Sequence, residues 1–184
     1  MINLSIMQNL QKYLIKDRKI DYQKYSIQLA QLIANDYYNK DPNIFYRIQD
    51  FGYEVVQMEG ESTRILILNR NGIVEQDSYQ STSLLRRDLT QDYPDVVSVL
   101  KGNSVPARDL YIRAGNPPER KRILYAYAPI THYTDGIIGM VFLSTSLDSV
   151  ETVLADIRKI ISLYTTAITI SILLISFVLS GFIT

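Results

Sequence analysis

Apolar residues recur with a helical period from the start of the chain. Leu4, Met7, Leu10 and Leu14 fall at spacings of 3, 3 and 4, and beyond the charged patch Lys16-Asp17-Arg18-Lys19 the residues Tyr22, Tyr25, Leu29 and Leu32 resume at 3, 4 and 3. No Gly or Pro interrupts before Pro42, so the pattern predicts one long helix within residues 1–38, from about Leu4 to Tyr38. Asp41-Pro42 then reads as a cap with proline in the first turn of a second helix, which would bury Ile44, Phe45, Ile48, Phe51 and Val55.

The period then shortens. Arg64 to Leu68 is an apolar strand, Asn69-Arg70-Asn71-Gly72 has the residues of a hairpin turn, and the chain returns from Ile73 to about Asp77. A polar stretch from Tyr79 to Gln91 leads to a short helix starting at Asp92-Tyr93-Pro94-Asp95 and closed by Lys101-Gly102-Asn103. Three strands are expected next: Val105 to Ala114, Arg122 to Thr131 and Ile137 to Ser144. Turns at Gly115-Asn116-Pro117-Pro118 and Tyr133-Thr134-Asp135-Gly136 separate them. Ile123, Tyr125 and Tyr127 alternate with Leu124, Ala126 and Ala128, so this strand is apolar on both faces, as a central strand should be. Asp148 and Glu151 form a capping pair for a helix from Ser149 to Lys159. Consecutive antiparallel strands with helices beside them make an α+β domain.

Ile160 to Thr184 contains no Asp, Glu, Lys or Arg in 25 residues. As a helix it would reach ~37 Å, more than the ~30 Å hydrocarbon thickness of a bilayer. Its hydroxyl residues (Thr165, Thr166, Thr169, Ser171, Ser176 and Ser180) can bond back to the preceding turn, so they do not oppose insertion. The expected organisation is a folded domain over 1–159 and a transmembrane helix over 160–184. No helix breaker separates the last domain helix from the apolar run, so the two should form one rod.

Composition narrows the functional classes. Of the 184 residues, 19 are Lys or Arg and 19 Asp or Glu, and this neutrality offers no long-range attraction for nucleic acid. The absence of Cys excludes disulfides, iron–sulfur clusters and thiolate zinc sites.

Two stretches resemble a known family. Ile65-Leu66-Ile67-Leu68-Asn69-Arg70-Asn71-Gly72-Ile73-Val74 is similar to the hairpin of PAS-like extracytoplasmic sensors. Tyr125 to Ile130, Gly136 to Ser144 and Ser146-Leu147-Asp148 resemble the closing strands of the sensor region of bacterial two-component histidine kinases of the PhoR/WalK type. The resemblance implies a PAS-like Cache (PDC) fold, with a long N-terminal helix and a central antiparallel sheet of about five strands on the outer face of the membrane. It also implies a homodimer and a parent protein whose kinase domain uses ATP and Mg and passes phosphate to a response regulator. The chain itself has no Gly-rich nucleotide loop, and Met1 to Lys19 has no continuous apolar run, so it reads as a fragment beginning after a first membrane helix.

No catalytic constellation emerges. His132 beside Asp135 could contribute to a zinc site, but a solvated loop histidine is the plainer expectation. Gly136 to Gly139 reads as a hairpin with a strand glycine. Among the fourteen tyrosines, Tyr22, Tyr25, Tyr37 and Tyr38 lie at helical spacing and suit core or dimer contacts. Tyr111 and Arg113 share a face of one strand, and Tyr125 and Tyr127 a face of the next. In the resembling family ligands sit against this sheet, so a small pocket formed by Tyr111, Arg113, Tyr125 and Tyr127 is a candidate, with Arg113 pairing a carboxylate. The alternative is an ordinary packed sheet. Leu4, Met7, Leu10 and Leu14 form a candidate dimer seam.

Positive charge at Arg158 and Lys159 favours a cytoplasmic domain, whereas the resemblance favours an extracellular one. The functional reading is therefore a membrane-bound signal sensor that passes an extracellular signal through its membrane helix. A tail-anchored cytoplasmic binding module, or the sensor of a chemoreceptor or diguanylate cyclase, is the alternative.

Overall fold

A computed structural model describes residues 2–59, 63–79, 84–114 and 119–183. The helices are α1 (Ile2–Tyr38), α2 (Ile44–Glu59), α3 (Pro94–Leu100) and α4 (Asp148–Ile183). The strands are β1 (Thr63–Asn69), β2 (Val74–Asp77), β3 (Arg108–Ala114), β4 (Glu119–His132) and β5 (Gly136–Ser146). The chain divides into two compact units, Ile15–Ser149 and a smaller one made of Met1–Leu14 with Val150–Thr184.

In the larger unit the strands form one antiparallel sheet in the order β2-β1-β5-β4-β3. The expected α+β class and five-stranded sheet are present. β5 occupies the middle rather than β4, but β4 is an interior strand whose residues are buried on both faces of the sheet, hence its apolar residues on both.

One face of the sheet meets α1 and α2. Thr63, Ile65 and Ile67 of β1 lie beside Thr145, Leu143 and Val141 of β5, and these beside Leu124, Ala126 and Ala128 of β4. The small alanines let a helix approach closely, and so does Gly139, where a Cβ would collide with the Leu68 carbonyl oxygen and come within 3.0 Å of the Tyr37 ring. The buried stripe of α1 in this unit is Ile15, Tyr22, Ser26, Leu29, Ala30 and Ile33. Leu32, expected in that stripe, is 52% exposed; Ile33 takes its place because spacings of 4, 3 and 4 from Tyr22 hold the stripe on one side. On α2, Ile44, Ile48 and Val55 are buried and Phe45 and Phe51 half-buried, as their spacing predicts.

α1 ends in a Schellman motif. Asp41 N–H donates to the Asp36 carbonyl (2.9 Å) and Lys40 N–H to the Tyr37 carbonyl (3.2 Å), with Lys40 in the left-handed region at φ 54°. The side chain of Asp41 then accepts from Asn43 N–H (2.8 Å) ahead of α2.

The opposite face carries a second core beneath α3, formed by Leu66, Leu68, Val74, Met140, Phe142, Tyr125 and Tyr127 with Leu89, Val96 and Val99 above. Within the polar stretch, residues 86–89 run back beside the start of β2. Val74 N–H donates to the Arg87 carbonyl and Arg86 N–H to that of Val74, so the β2 edge is covered. β3 begins at Arg108, three residues later than expected, and the turn at 115–118 lies outside the described residues.

In the smaller unit α4 continues without a break from its first charged turns into the apolar run. Met7, Val150 and Leu154 are buried. From residue 158 to 177 every described side chain is exposed except the half-buried Ile161. Thr165, Thr166, Thr169 and Ser171 each donate to the carbonyl four residues earlier at 2.8–2.9 Å, which satisfies these hydroxyls within the helix. The helix is long and apolar enough to cross a membrane.

Candidate functional site

Register decides which predicted site residues meet. Arg108 pairs with Tyr125, Tyr111 with Arg122 and Arg113 with Arg120. Directly paired residues share a face and alternate residues point oppositely. Tyr125 and Tyr127 therefore lie on the α3 face, and Tyr111 and Arg113 on the α1 face. The four residues do not converge on one pocket.

Tyr125 and Tyr127 are core residues, 5% and 3% exposed. Their rings pack against Phe142 at 5.6 and 5.2 Å, and Tyr93 closes over Tyr125 and Phe142 at 5.5 and 5.2 Å. Above them Arg108 pairs with Asp95 at 3.2 Å. Burial raises the Tyr125 phenol, helped by the neighbouring Tyr93; burial also raises Tyr127, helped by the Asp95 charge. Both rings are packing groups of this core.

Tyr111 and Arg113 instead join a cationic cluster that includes Arg120 and Arg122, two residues the sequence reading left out. The Arg120 guanidinium lies 4.1 Å from the Tyr111 ring centre and that of Arg122 5.2 Å. Arg122 grips Asp109 through Nε (2.7 Å) and Nη2 (2.6 Å), while Lys19 of α1 reaches the other carboxylate oxygen at 2.5 Å. Burial alone would raise the Asp109 carboxyl, but the bonds and charges of Lys19 and Arg122 outweigh it and hold the group below its ordinary 3.8. Arg and Tyr in alternating positions of one hairpin were the available signal; the register that assembles them was not in the pattern.

His132 departs from its expected place. It is 6% exposed at the end of β4, stacked on Tyr38 at 3.7 Å with the planes 2° apart, and its Nδ1 lies 2.9 Å from the Thr134 hydroxyl. The ring is a packing element between α1 and the β4–β5 hairpin, not a solvated loop residue.

The proposed dimer seam is turned inward in part. Met7 is 8% exposed and lines a groove with Gln8, Gln11, Glu151, Leu154 and Ala155, and Leu10 and Leu14 are half-buried. The side chain of Leu4 lies outside the described residues. A second groove, about 250 Å³, is bounded by Gln49, Gly52, Tyr53, Val56 and Thr63. The chemistry these sites offer is recognition: guanidinium groups suited to oxyanions and phenol rings suited to stacking.

No protein-family model matches the chain, and no curated protein matches it. Among solved structures it is similar to the sensor domain of the Vibrio cholerae histidine kinase DctB, at 12% identity and a TM-score of 0.44, over 83% of this chain and 60% of that one. It is also similar to the periplasmic domain of Vibrio cholerae LuxQ, at 13% identity and a TM-score of 0.49, over 78% of this chain and 62% of that one. A third similar structure is the sensor region of a sensor histidine kinase, at 13% identity and a TM-score of 0.33, over 48% of this chain and 40% of that one. The chain thus spans about 60% of the length of the first two. Two of these three structures are sensor regions of histidine kinases, and the other is a periplasmic domain.

Proposed function

We propose that the chain is the signal-sensing region of a membrane-bound two-component histidine kinase of PAS-like (Cache/PDC) type, with residues 1–159 outside the cell and 160–184 in the bilayer. One observation carries the reading: α4 leaves the end of β5 and runs unbroken from Asp148 into an apolar stretch in which Thr165, Thr166, Thr169 and Ser171 bond back to the helix. A stiff helix of this kind carries a displacement of its first turns along its length. A signal would act by its difference in affinity for two positions of that helix, since equal affinity shifts nothing. Control of autophosphorylation, ATP and Mg use and transfer to a response regulator would belong to domains of the parent protein.

The test is topological. The full chain is expressed in cells, membranes are washed with alkaline carbonate, and protease is added to intact cells or spheroplasts. Retention in the membrane with digestion of the domain from outside is expected. Release by carbonate would refute the membrane helix, whereas retention with protection from protease would select a tail-anchored cytoplasmic module. That second reading draws on Arg158 and Lys159 flanking the apolar run on the domain side, although Lys159 spends part of its charge on Asp156 at 3.6 Å.

A further inference from the structure

We propose that the β3–β4 hairpin holds a binding site for a doubly charged oxyanion of the phosphate class, formed by Arg113 and Arg120 over the Tyr111 ring. The site is independent of the signalling reading and stands on the hairpin alone.

Three observations lead to it. First, Arg113 and Arg120 are direct cross-strand partners, and both are exposed. Like charges placed opposite each other repel, and nothing in the packing of the sheet requires two arginines there. An anion lying between the two guanidinium groups turns that repulsion into two attractive contacts. Second, Asp109, the acid described on this face of β3, is already committed. It is held by Lys19 and by two nitrogens of Arg122, which leaves the charges of Arg113 and Arg120 to the hairpin surface.

Third, the hairpin is built for access. Leu110 and Ile112 on one face and Tyr111 on the other are 52%, 37% and 46% exposed, so both faces of β3 stand clear of the core. The Tyr111 ring lies 4.1 Å from Arg120, which restricts the guanidinium before any ligand arrives. Arginine presents two parallel N–H groups to a pair of oxygens, and a tetrahedral dianion has enough oxygens to engage both forks at once. A monocarboxylate satisfies only one fork, so the dianion is the better match.

The experiment uses the full chain in detergent micelles. Inorganic phosphate is titrated against sodium chloride of equal ionic strength, with binding followed by calorimetry and by tyrosine fluorescence. Saturable phosphate binding is expected, weakened about tenfold or more by Arg113→Ala and by Arg120→Ala. Lys101→Ala, which removes an exposed charge elsewhere on the domain, should leave it unchanged. Arg120→Lys keeps the charge but not the fork and should also weaken binding. Circular dichroism of each variant verifies that the fold is retained. Absence of saturable binding, or equal binding by wild type and both alanine variants, overturns the proposal. Glycerol phosphate separates the sources of the anion: tighter binding than inorganic phosphate supports a phosphoester of a lipid or envelope polymer, and weaker binding supports free phosphate.

Discussion

Asp77 shows how one side chain can hold several groups at a sheet edge. Its carboxylate is fully buried and accepts from Arg64 Nε (3.1 Å) and Nη2 (2.6 Å), and from the backbone N–H groups of Tyr79 (2.9 Å) and Leu84 (2.7 Å). It therefore ties Tyr79 and Leu84 to the sheet edge. Asp77→Ala would leave Arg64 and two amides without this acceptor, and urea unfolding should show a loss of about 3 kcal/mol. Asp109 makes a different prediction. Its folded-state pKa lies below 3.8, so it binds a proton less readily when folded than when unfolded. Its contribution to stability is present above that value and disappears as pH falls through the lower, folded-state one. Asp109→Asn should flatten the loss of stability on acidification below about pH 4, measured by denaturant titrations across that range. Tyr22 has a comparable role in the interior, with its hydroxyl 3.0 Å from that of Thr63 and donating to that of Thr145 at 3.3 Å, so the helix is keyed to β1 and β5 by hydrogen bonds as well as apolar contact.

The helices and strands follow from their local patterns, but their ends depend on chemistry that the patterns describe less well. α1 stops after Tyr38 without a glycine: Lys40 adopts φ 54° and closes the Schellman motif. A residue with a Cβ in that region is strained, so Lys40→Gly should stabilise the domain by about 0.5–1 kcal/mol despite the greater freedom of glycine in the unfolded chain. A rise in melting temperature is the expected readout, and a fall would show that the Lys40 side chain contributes more than its strain costs. The β1–β2 hairpin was legible from Asn69-Arg70-Asn71-Gly72 because Gly72 sits at φ 78°, a conformation glycine adopts without strain. The return of residues 86–89 along β2 was not legible, because Arg86, Arg87 and Asp88 pair through backbone groups that every residue carries.

At the scale of the whole molecule, the exposed side of α1 carries an apolar repeat. Ile20 and Ile27, seven residues apart, are 45% and 43% exposed, while Tyr22, Ser26 and Leu29 between and beyond them are buried. Ile6 and Tyr13 continue the same interval at 52% and 65% exposure. A seven-residue repeat matches another helix with the same repeat, so we propose this side of α1 as the contact for a second copy lying in parallel. Ile20→Cys and Ile27→Cys should each form disulfide-linked dimers in membranes. Crosslinking at Leu14→Cys with none at Ile20 or Ile27 would return the interface to the seam of Leu4, Met7, Leu10 and Leu14.

The linear pattern alone determined the long first helix, the hairpins, the apolar C-terminal helix and the α+β class, because each depends on periodicity, turn residues or the absence of charge within a short span. Tertiary structure decided the rest. Strand order put β5 rather than β4 in the middle, and the register of β3 against β4 separated Tyr111 and Arg113 from Tyr125 and Tyr127. A one-residue change of register exchanges the two faces of a strand while leaving its alternation intact, so no reading of alternation could have distinguished a shared pocket from a buried aromatic core and a separate arginine cluster.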